Sequence, residues 1–271
     1  MTFTHHTHAK WILLGEHAVL RGSPAIVFPK KDAVLTVKLT KSDLPFHVVS
    51  DTHNLAIEKA LTQLIVIEAK NHQLILPPAS FEMTNAIPIG KGFGFSAALS
   101  LCIAQFLTHL GAKMPVFDLA KSIEDHFHGK SSGLDIAGCL HHTPIFYHQQ
   151  NISPIPLTSY PNIQLTDTGP SELSSTCITK VQNLFQSQPS LAESIDQQMK
   201  EAVIIAHEAL KQNNISSLAH AIEQANDCFD RWGLINERTR SLMRQKKKQG
   251  ALASKPSGAG LGGLMISLMD Q

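Results

Sequence analysis

The stretch that most constrains this chain is Pro88-Ile89-Gly90-Lys91-Gly92-Phe93-Gly94-Phe95-Ser96 running into residues 97–110. From 97 to 110 apolar residues cover nearly the whole circumference of a helix, and such a helix must be buried on most sides. The glycines just before it let the backbone approach a ligand closely. The first amides of the helix lack internal acceptors, and with the helix dipole they make an anion site suited to phosphate. Taken alone, the loop reads equally well as an ordinary turn. It is not a Walker loop, because no Lys-Ser/Thr pair follows the last glycine, and its spacing is not that of the dinucleotide fingerprint. Residues Gly94-Phe95-Ser96-Ala97-Ala98 approximate a nucleophile elbow, but the final glycine and the strand–helix alternation of that fold are missing.

Around this segment the first half mixes short strands and helices. Residues 33–40 and 46–50 read as strands with a turn at Pro45, and 54–69 as a helix capped by Asn54 with Ile57, Leu61, Leu64 and Ile65 on one face. Residues 73–76 and 80–84 read as strands separated by Pro77-Pro78. Pro115 opens a helix with Val116, Leu119, Ile123 and Phe127 inward, and 144–148 reads as a strand. The second half reads as a strand ending in Leu165-Thr166-Asp167-Thr168-Gly169, helices near 174–187, 192–212, 215–230 and 235–248, a glycine turn at 255–263 and a last strand. Strands and helices mixed without regular alternation point to an α+β fold. The Pro-rich run at 151–161 suggests a boundary, giving domains 1–158 and 159–271.

Charge narrows the function. With 23 Lys+Arg against 22 Asp+Glu, the net charge of +1 argues against nucleic acid or a membrane surface as partner. The basic run Arg244-Gln245-Lys246-Lys247-Lys248 reads as a solvated helix end. No apolar run approaches the roughly 20 residues of a membrane helix, and Trp11-Ile12-Leu13-Leu14 is too short a core for a signal peptide. The four cysteines are far apart and read as reduced thiols, so a cytoplasmic protein is expected.

Three further segments carry chemistry. A short apolar strand, residues 9–14, delivers Gly15-Glu16-His17 into a turn, where the pair is either a polar-ligand contact or a charged surface turn. Glu124 lies on a helix that ends near His128, and a Ser/Gly-rich loop carries Asp135; two such acids can bind Mg²⁺ and activate a hydroxyl, or be a solvated helix residue and an N-cap. His126, His128, His141 and His142 do not form a zinc motif and read as solvated. Lys255-Pro256-Ser257-Gly258-Ala259-Gly260-Leu261-Gly262-Gly263 reads by itself as a flexible turn before a strand.

In this order the segments resemble the motifs of the GHMP kinases. The first family motif is matched by Lys10, Leu13, Gly15, Glu16, His17, Val19, Gly22, Pro24, Ala25 and Ile26. The second is matched by Pro88, Gly90, Gly92, Gly94, Ser96, Ala97 and Ala98. Glu124, His128, Gly129, Ser132, Gly133 and Asp135 match the third block, and Lys255, Gly258, Ala259, Gly260, Gly262 and Gly263 the last. Asp167-Thr168-Gly169 with Ser175-Thr176 looks like a further family segment. Gly15-Glu16-His17-Ala18-Val19-Leu20 followed by Gly22-Ser23-Pro24-Ala25-Ile26 is more similar to the mevalonate kinases than to galactokinases or homoserine kinases.

The resemblance implies a two-domain fold, an N-terminal ribosomal-protein-S5-like domain and a C-terminal ferredoxin-like α/β sandwich, with ATP in the cleft between them. It implies ATP-dependent phosphorylation of the 5-hydroxyl of mevalonate. On that reading Asp135 is the catalytic acid/base, with Lys10 close to it and to the transferred phosphate. Ser96 and Glu124 hold Mg²⁺. Pro88, Gly90, Lys91, Gly92, Phe93, Gly94, Phe95, Ser96 and Ala97 wrap the nucleotide, and Glu16, His17, Asp135, Thr176 and Gly258 line the substrate. The partner is then a small alcohol, with no nucleic acid and no membrane; the sequence leaves oligomeric state open, a homodimer included.

Two residues depart from the family pattern: Phe95 stands where a serine is usual, and Ser257 where a threonine is. The chain is also short for the family between 40 and 85. Two rival functions stay open. One is a related kinase acting on phosphomevalonate or another alcohol, for which Lys130 is the only evident extra cation near Asp135. The other is a non-catalytic nucleotide-binding relative, supported by Phe95 and opposed by the intact Lys10, Glu124 and Asp135.

Overall fold

The computed structural model describes residues 2–129 and 131–270, apart from the side chain of His128; the expectation placed on Lys130, and that on the His128 side chain, lie outside the described residues. Contacts divide the chain into two units. The first takes the residues up to Ala9 with Lys30–Pro88 and Gly94–Leu140; the second takes Lys10–Pro29, Ile89–Phe93 and everything from His141 on. Two strands, β1 (Phe3–Leu14) and β2 (Ala25–Lys41), pair with each other and pass from one unit to the other. The architecture is α+β, as the mixed pattern predicts.

In the first unit the later half of β2 pairs antiparallel with β4 (Ala79–Asn85), from Leu35 opposite Asn85 to Lys41 opposite Ala79. Strand β3 (His47–Ser50) runs parallel to β4. A parallel neighbour needs a crossover, and helix α1 (Leu55–Asn71) supplies it. Leu35, Val37 and Leu39 alternate onto the buried face of β2, with Phe81 and Met83 from β4. Helix α2 (Phe95–His109) is apolar on every side: Ala97 through Ala104, Phe106 and Leu107 are all buried. It touches α3 (Val116–His128) and α4 (Leu134–Leu140). Its Phe106 ring lies 5.6 Å from that of Phe46 and 5.2 Å from that of Phe81.

Three details differ from the sequence pattern. Asn54 does cap α1, accepting from the Ala56 and Ile57 amides, but Ile57 is about half exposed and Glu58 takes an inward place instead. The Glu58 carboxylate accepts from both the amide and the hydroxyl of Ser50, and the buried Glu68 of the same helix meets Nε2 of His126 at 2.9 Å. Each inward acid has a dedicated partner, which is what burial of a carboxylate requires. Residues 73–76 are not a strand: Gln73 turns left-handed at the end of α1, Ile75 is 90% exposed, and Pro77-Pro78 have no amide to offer a ladder. On α3, Leu119, Ala120, Ile123 and Glu124 are buried, while Phe127 is largely exposed.

The second unit carries a three-stranded antiparallel sheet in the order β7 (Ile163–Gly169), β9 (Gly263–Met269), β8 (Ala251–Ser257). The central β9 is buried along nearly its whole length, as a strand covered on both faces must be. Around the sheet run α5 (Ser174–Ser187), α6 (Pro189–Lys211), α7 (Ile215–Arg231) and α8 (Glu237–Lys248). Asn214 and Asn236 cap the last two through their side-chain oxygens. The segment read as a flexible turn from 255 is in its first three residues the end of β8. Pro256 is tolerated because β8 is an edge of this sheet. Early β2 pairs with β5 (Ile145–His148), and β5 with β6 (Asn151–Pro154), inside the Pro-rich run expected as a boundary.

All four cysteines are buried. Burial pushes the thiols of Cys102 and Cys228 up to about 12. No helix among the described residues is long and apolar enough to cross a membrane.

Phe106→Ala removes the ring that joins α2 to Phe46 and Phe81. We expect a loss of about 3–5 kcal/mol of stability in urea unfolding of the full chain; a loss below about 1 kcal/mol contradicts the central place of α2.

Candidate functional site

In the first unit, α2 starts directly after Gly94, which is left-handed and gives its helix no side-chain cap. Phe95 and Ser96 are half-buried and Ala97 is buried, while Pro88 is exposed. The Gly94 carbonyl closes the helix through the Ala98 amide at 2.9 Å and also accepts from Sγ of Cys139 at 3.7 Å, which ties α4 to the start of α2. Asp135 is the second residue of α4 and half-buried. Ser132 receives the Leu134 amide, and left-handed Gly133 turns the chain into α4. Glu124 is almost wholly buried on α3.

Asp125 was not legible as a site residue, yet it fixes the loop that leads to Asp135. Its carboxylate takes the Ser131 amide at 2.7 Å and the Lys121 ammonium at 3.0 Å. Burial alone would raise its carboxyl, but these two donors outweigh it and hold the group below its ordinary value. The signal in the sequence is slight: an acid four residues after Lys121 on one helix face.

In the second unit, Gly90 and Gly92 are both left-handed. The loop they belong to is held from several sides. Lys10, buried on β1, donates its backbone amide to Phe93 O at 3.0 Å and its ammonium to Gly92 O at 3.2 Å. Ser171 Oγ donates to Gly90 O at 2.8 Å, and Lys91 reaches Asp167 at 3.0 Å and Gly169 O at 3.1 Å. The Gly169 amide and Lys91 overcome burial and keep the Asp167 carboxyl low. Gly258 comes up against Gly92, where an added Cβ would lie 3.8 Å from the Gly92 Cα. Residues 10, 90–93, 167–171 and 257–258 therefore meet. Thr176 is exposed in the first turn of α5; its neighbour Cys177 reaches Gly260 O.

Glu16 and His17 are not a surface turn. Gly15 has φ +105, and a side chain there would come within 2.5 Å of Ala25, so the turn closes tightly against β2. His17 Nε2 donates to Ala259 O at 2.8 Å, and its ring lies 5.4 Å from Trp232 and 6.0 Å from Phe229. Full burial pushes its imidazole down to about 4, only partly offset by the Ala259 carbonyl. Glu16 accepts from Lys255 Nζ at 2.6 Å, and both are buried. Burial raises the Glu16 carboxyl and lowers the Lys255 ammonium, while each partner's charge opposes the shift of the other. Lys255 went unread as a site residue because its segment looked like a glycine turn. Inward alternation with Ala253 and Ser257 along 251–257 was the available signal.

Residues 55–143 match the family model described as the GHMP kinases N terminal domain. The mevalonate kinase of Thermococcus onnurineus is 27% identical over 305 residues, spanning 97% of this chain and 88% of that protein. Among solved structures, L. major mevalonate kinase in complex with R-mevalonate superposes with a TM-score of 0.82 at 21% identity, over 100% of this chain and 88% of that one. The Streptococcus pneumoniae phosphomevalonate kinase gives a TM-score of 0.79 at 19% identity, over 100% and 92%. At such identities the structural likeness concerns the fold alone. Along nearly its whole length the chain is thus similar to mevalonate kinases, and over residues 55–143 to the N-terminal domain of the GHMP kinases.

The buried imidazole sets an acid limit. His17 stays neutral in the fold down to about 4, whereas the unfolded chain takes up this proton below about 6.5, so stability present above 6.5 is lost as pH falls toward 4. The loss attributable to it approaches about 3 kcal/mol. His17→Asn keeps a donor for Ala259 O without the titration. Urea midpoints at pH 7 and pH 4.5 should fall further for the wild type than for this variant; equal falls reject the assignment.

Proposed function

We propose that this chain transfers the γ-phosphoryl group of ATP to the 5-hydroxyl of mevalonate, acting in the cytoplasm. The observation that carries the reading is the match to curated mevalonate kinases along 97% of the chain. The domain division at 158/159 is proposed with it.

Phosphoryl transfer asks a protein for positioning and charge neutralisation rather than covalent chemistry. The proposal gives the nucleotide phosphates to the amides at the start of α2 and to the loop from Pro88 through Ala97, Lys91 and Phe93 included. Phe95 offers no hydroxyl, so its contribution is confined to the backbone amide. Lys10 supplies positive charge beside the transferred group, and Asp135 accepts the proton of the attacking hydroxyl. The turn carrying Glu16 and His17, with Thr176 and Gly258, is assigned to the alcohol.

For Mg²⁺ the donor set fits. Glu124 brings a buried carboxylate on α3, and Ser96 a hydroxyl in the first turn of α2, the helix against which α3 packs. Both are hard oxygen donors. Among the described residues no cluster of three or more acidic, histidine or cysteine ligands occurs. Magnesium usually takes one or two carboxylates and completes its shell with phosphate and water, so no such cluster is required. When bound, the ion neutralises charge on the phosphates.

A coupled ADP-release assay over mevalonate, phosphomevalonate, galactose and homoserine tests the substrate. Turnover on mevalonate well above the others is expected; preference for phosphomevalonate moves the reading to that alcohol, and no ADP release with any of them removes it. Asp135→Asn should lower turnover by about 10²-fold or more with ATP binding retained; near-normal turnover takes Asp135 out of the mechanism. Glu124→Gln should raise the Mg²⁺ concentration needed for half-maximal rate, and an unchanged Mg²⁺ dependence refutes the ligand assignment.

A further inference from the structure

The ion pair between Lys255 and Glu16 has a geometry that the substrate reading does not use. Lys255 is fully buried. Its ammonium donates to Glu16 Oε1 at 2.6 Å and to Leu13 O at 3.0 Å, and lies 5.0 Å from the centre of the Phe229 ring. Two residues along β8, Ser257 grips the same part of β1: its Oγ accepts from the Ile12 amide at 3.2 Å and donates to Ile12 O at 2.7 Å. Side chains at successive inward positions of β8 thus hold Ile12, Leu13 and Glu16. Lys10 lies two residues before Ile12 on the same strand and is tied at its other side to Gly92 and Phe93.

A buried ion pair is a poor source of net stability, since desolvation costs about as much as the attraction returns. What it does supply is direction. The ammonium fixes the end of β1 in one register, and it takes Oε1 of the Glu16 carboxylate. We propose that Lys255 is a positioning residue: locked to Glu16, it sets the β1 segment that presents Lys10 and the Gly15-Glu16-His17 turn. Glu16 serves the reaction through Lys255, and the alcohol meets the turn through other groups. This rests on the reading of Lys10 as the cation beside the transferred phosphate.

The test is a double-mutant cycle on the full chain: Lys255→Met, Glu16→Gln and the two together, each assayed for unfolding, kcat and both KM values. Lys255→Met leaves a carboxylate buried without its cation and should be the least stable; the double variant, with neither charge, should recover much of that stability. Positioning predicts that the double variant, though folded, keeps a kcat about ten- to hundredfold below wild type and is no worse than either single variant. Its KM values should change little, as for an interaction made only in the transition state. A wild-type kcat in the double variant overturns the proposal. So does an increase in the alcohol KM on Glu16→Gln of the same size whether or not Lys255 is present, which makes Glu16 a direct substrate contact.

Tryptophan emission separates this inference from the functional reading. Trp11 adjoins Lys10, Trp232 stands beside His17, and the chain has no other tryptophan. If the wild type is inactive on every alcohol, the kinase reading falls, and the spectrum alone judges the pair. A changed emission in the folded double variant supports positioning of the turn; a spectrum identical to wild type rejects it.

Discussion

A helix of fifteen residues with no polar side must be covered all round, and the first unit is organised by that demand. The sheet face of Phe81 and Met83, the α3 helix and the short α4 helix are its cover, with Phe46 and Phe106 stacked at 5.6 Å. Because α2 cannot shift without exposing apolar surface, its N-terminus is fixed, and so are the side chains carried by its neighbours. Glu124 lies on α3 and Asp135 on α4, so both acids take their places from the packing of α2. The Gly94 carbonyl, shared by the Ala98 amide and the Cys139 thiol, is where that packing reaches the glycine loop.

The second unit solves a different problem. It must keep charged groups inside: Lys10, Glu16 and Lys255 are all nearly inaccessible to water. Each lysine is received by carbonyl oxygens, Gly92 for Lys10 and Leu13 for Lys255, and Lys255 has a carboxylate besides. Glycines make the close approaches possible. At Gly262 the backbone is left-handed, and a side chain would fall onto the Pro170 carbonyl, so the 258–263 loop can lie directly on 170–171 only because that position is bare.

Much of this was legible. Local signals with a single physical cause, such as the Asn54 cap and the all-round apolar pattern of α2, read correctly because nothing distant competes with them. Reading failed where a polar residue owes its place to a partner far along the chain. Ile57 was expected inside, but it is Glu58 that turns inward, received by Ser50. Phe127 was expected inside, yet it is Glu124 that α3 buries. Gln-Leu-Ile-Leu at 73–76 has strand composition, but two prolines deny it a ladder. Lys10, Glu16 and Asp135 were singled out through their motifs, whereas the pairing of Glu16 with Lys255 spans 239 residues and leaves no local trace.

The buried thiols have a practical use. A sulfhydryl whose proton is held up to about 12 is almost all thiol at neutral pH, so alkylating reagents find no thiolate to attack while the fold is closed. Reaction must wait for an opening, and its rate measures how often that opening occurs. Cys102 and Cys139 belong to the first unit, Cys177 and Cys228 to the second. Mapping which of the four acquires a label first would time the breathing of each half of the molecule separately. Cys139, resting on Gly94, would report on the threshold of the glycine loop itself.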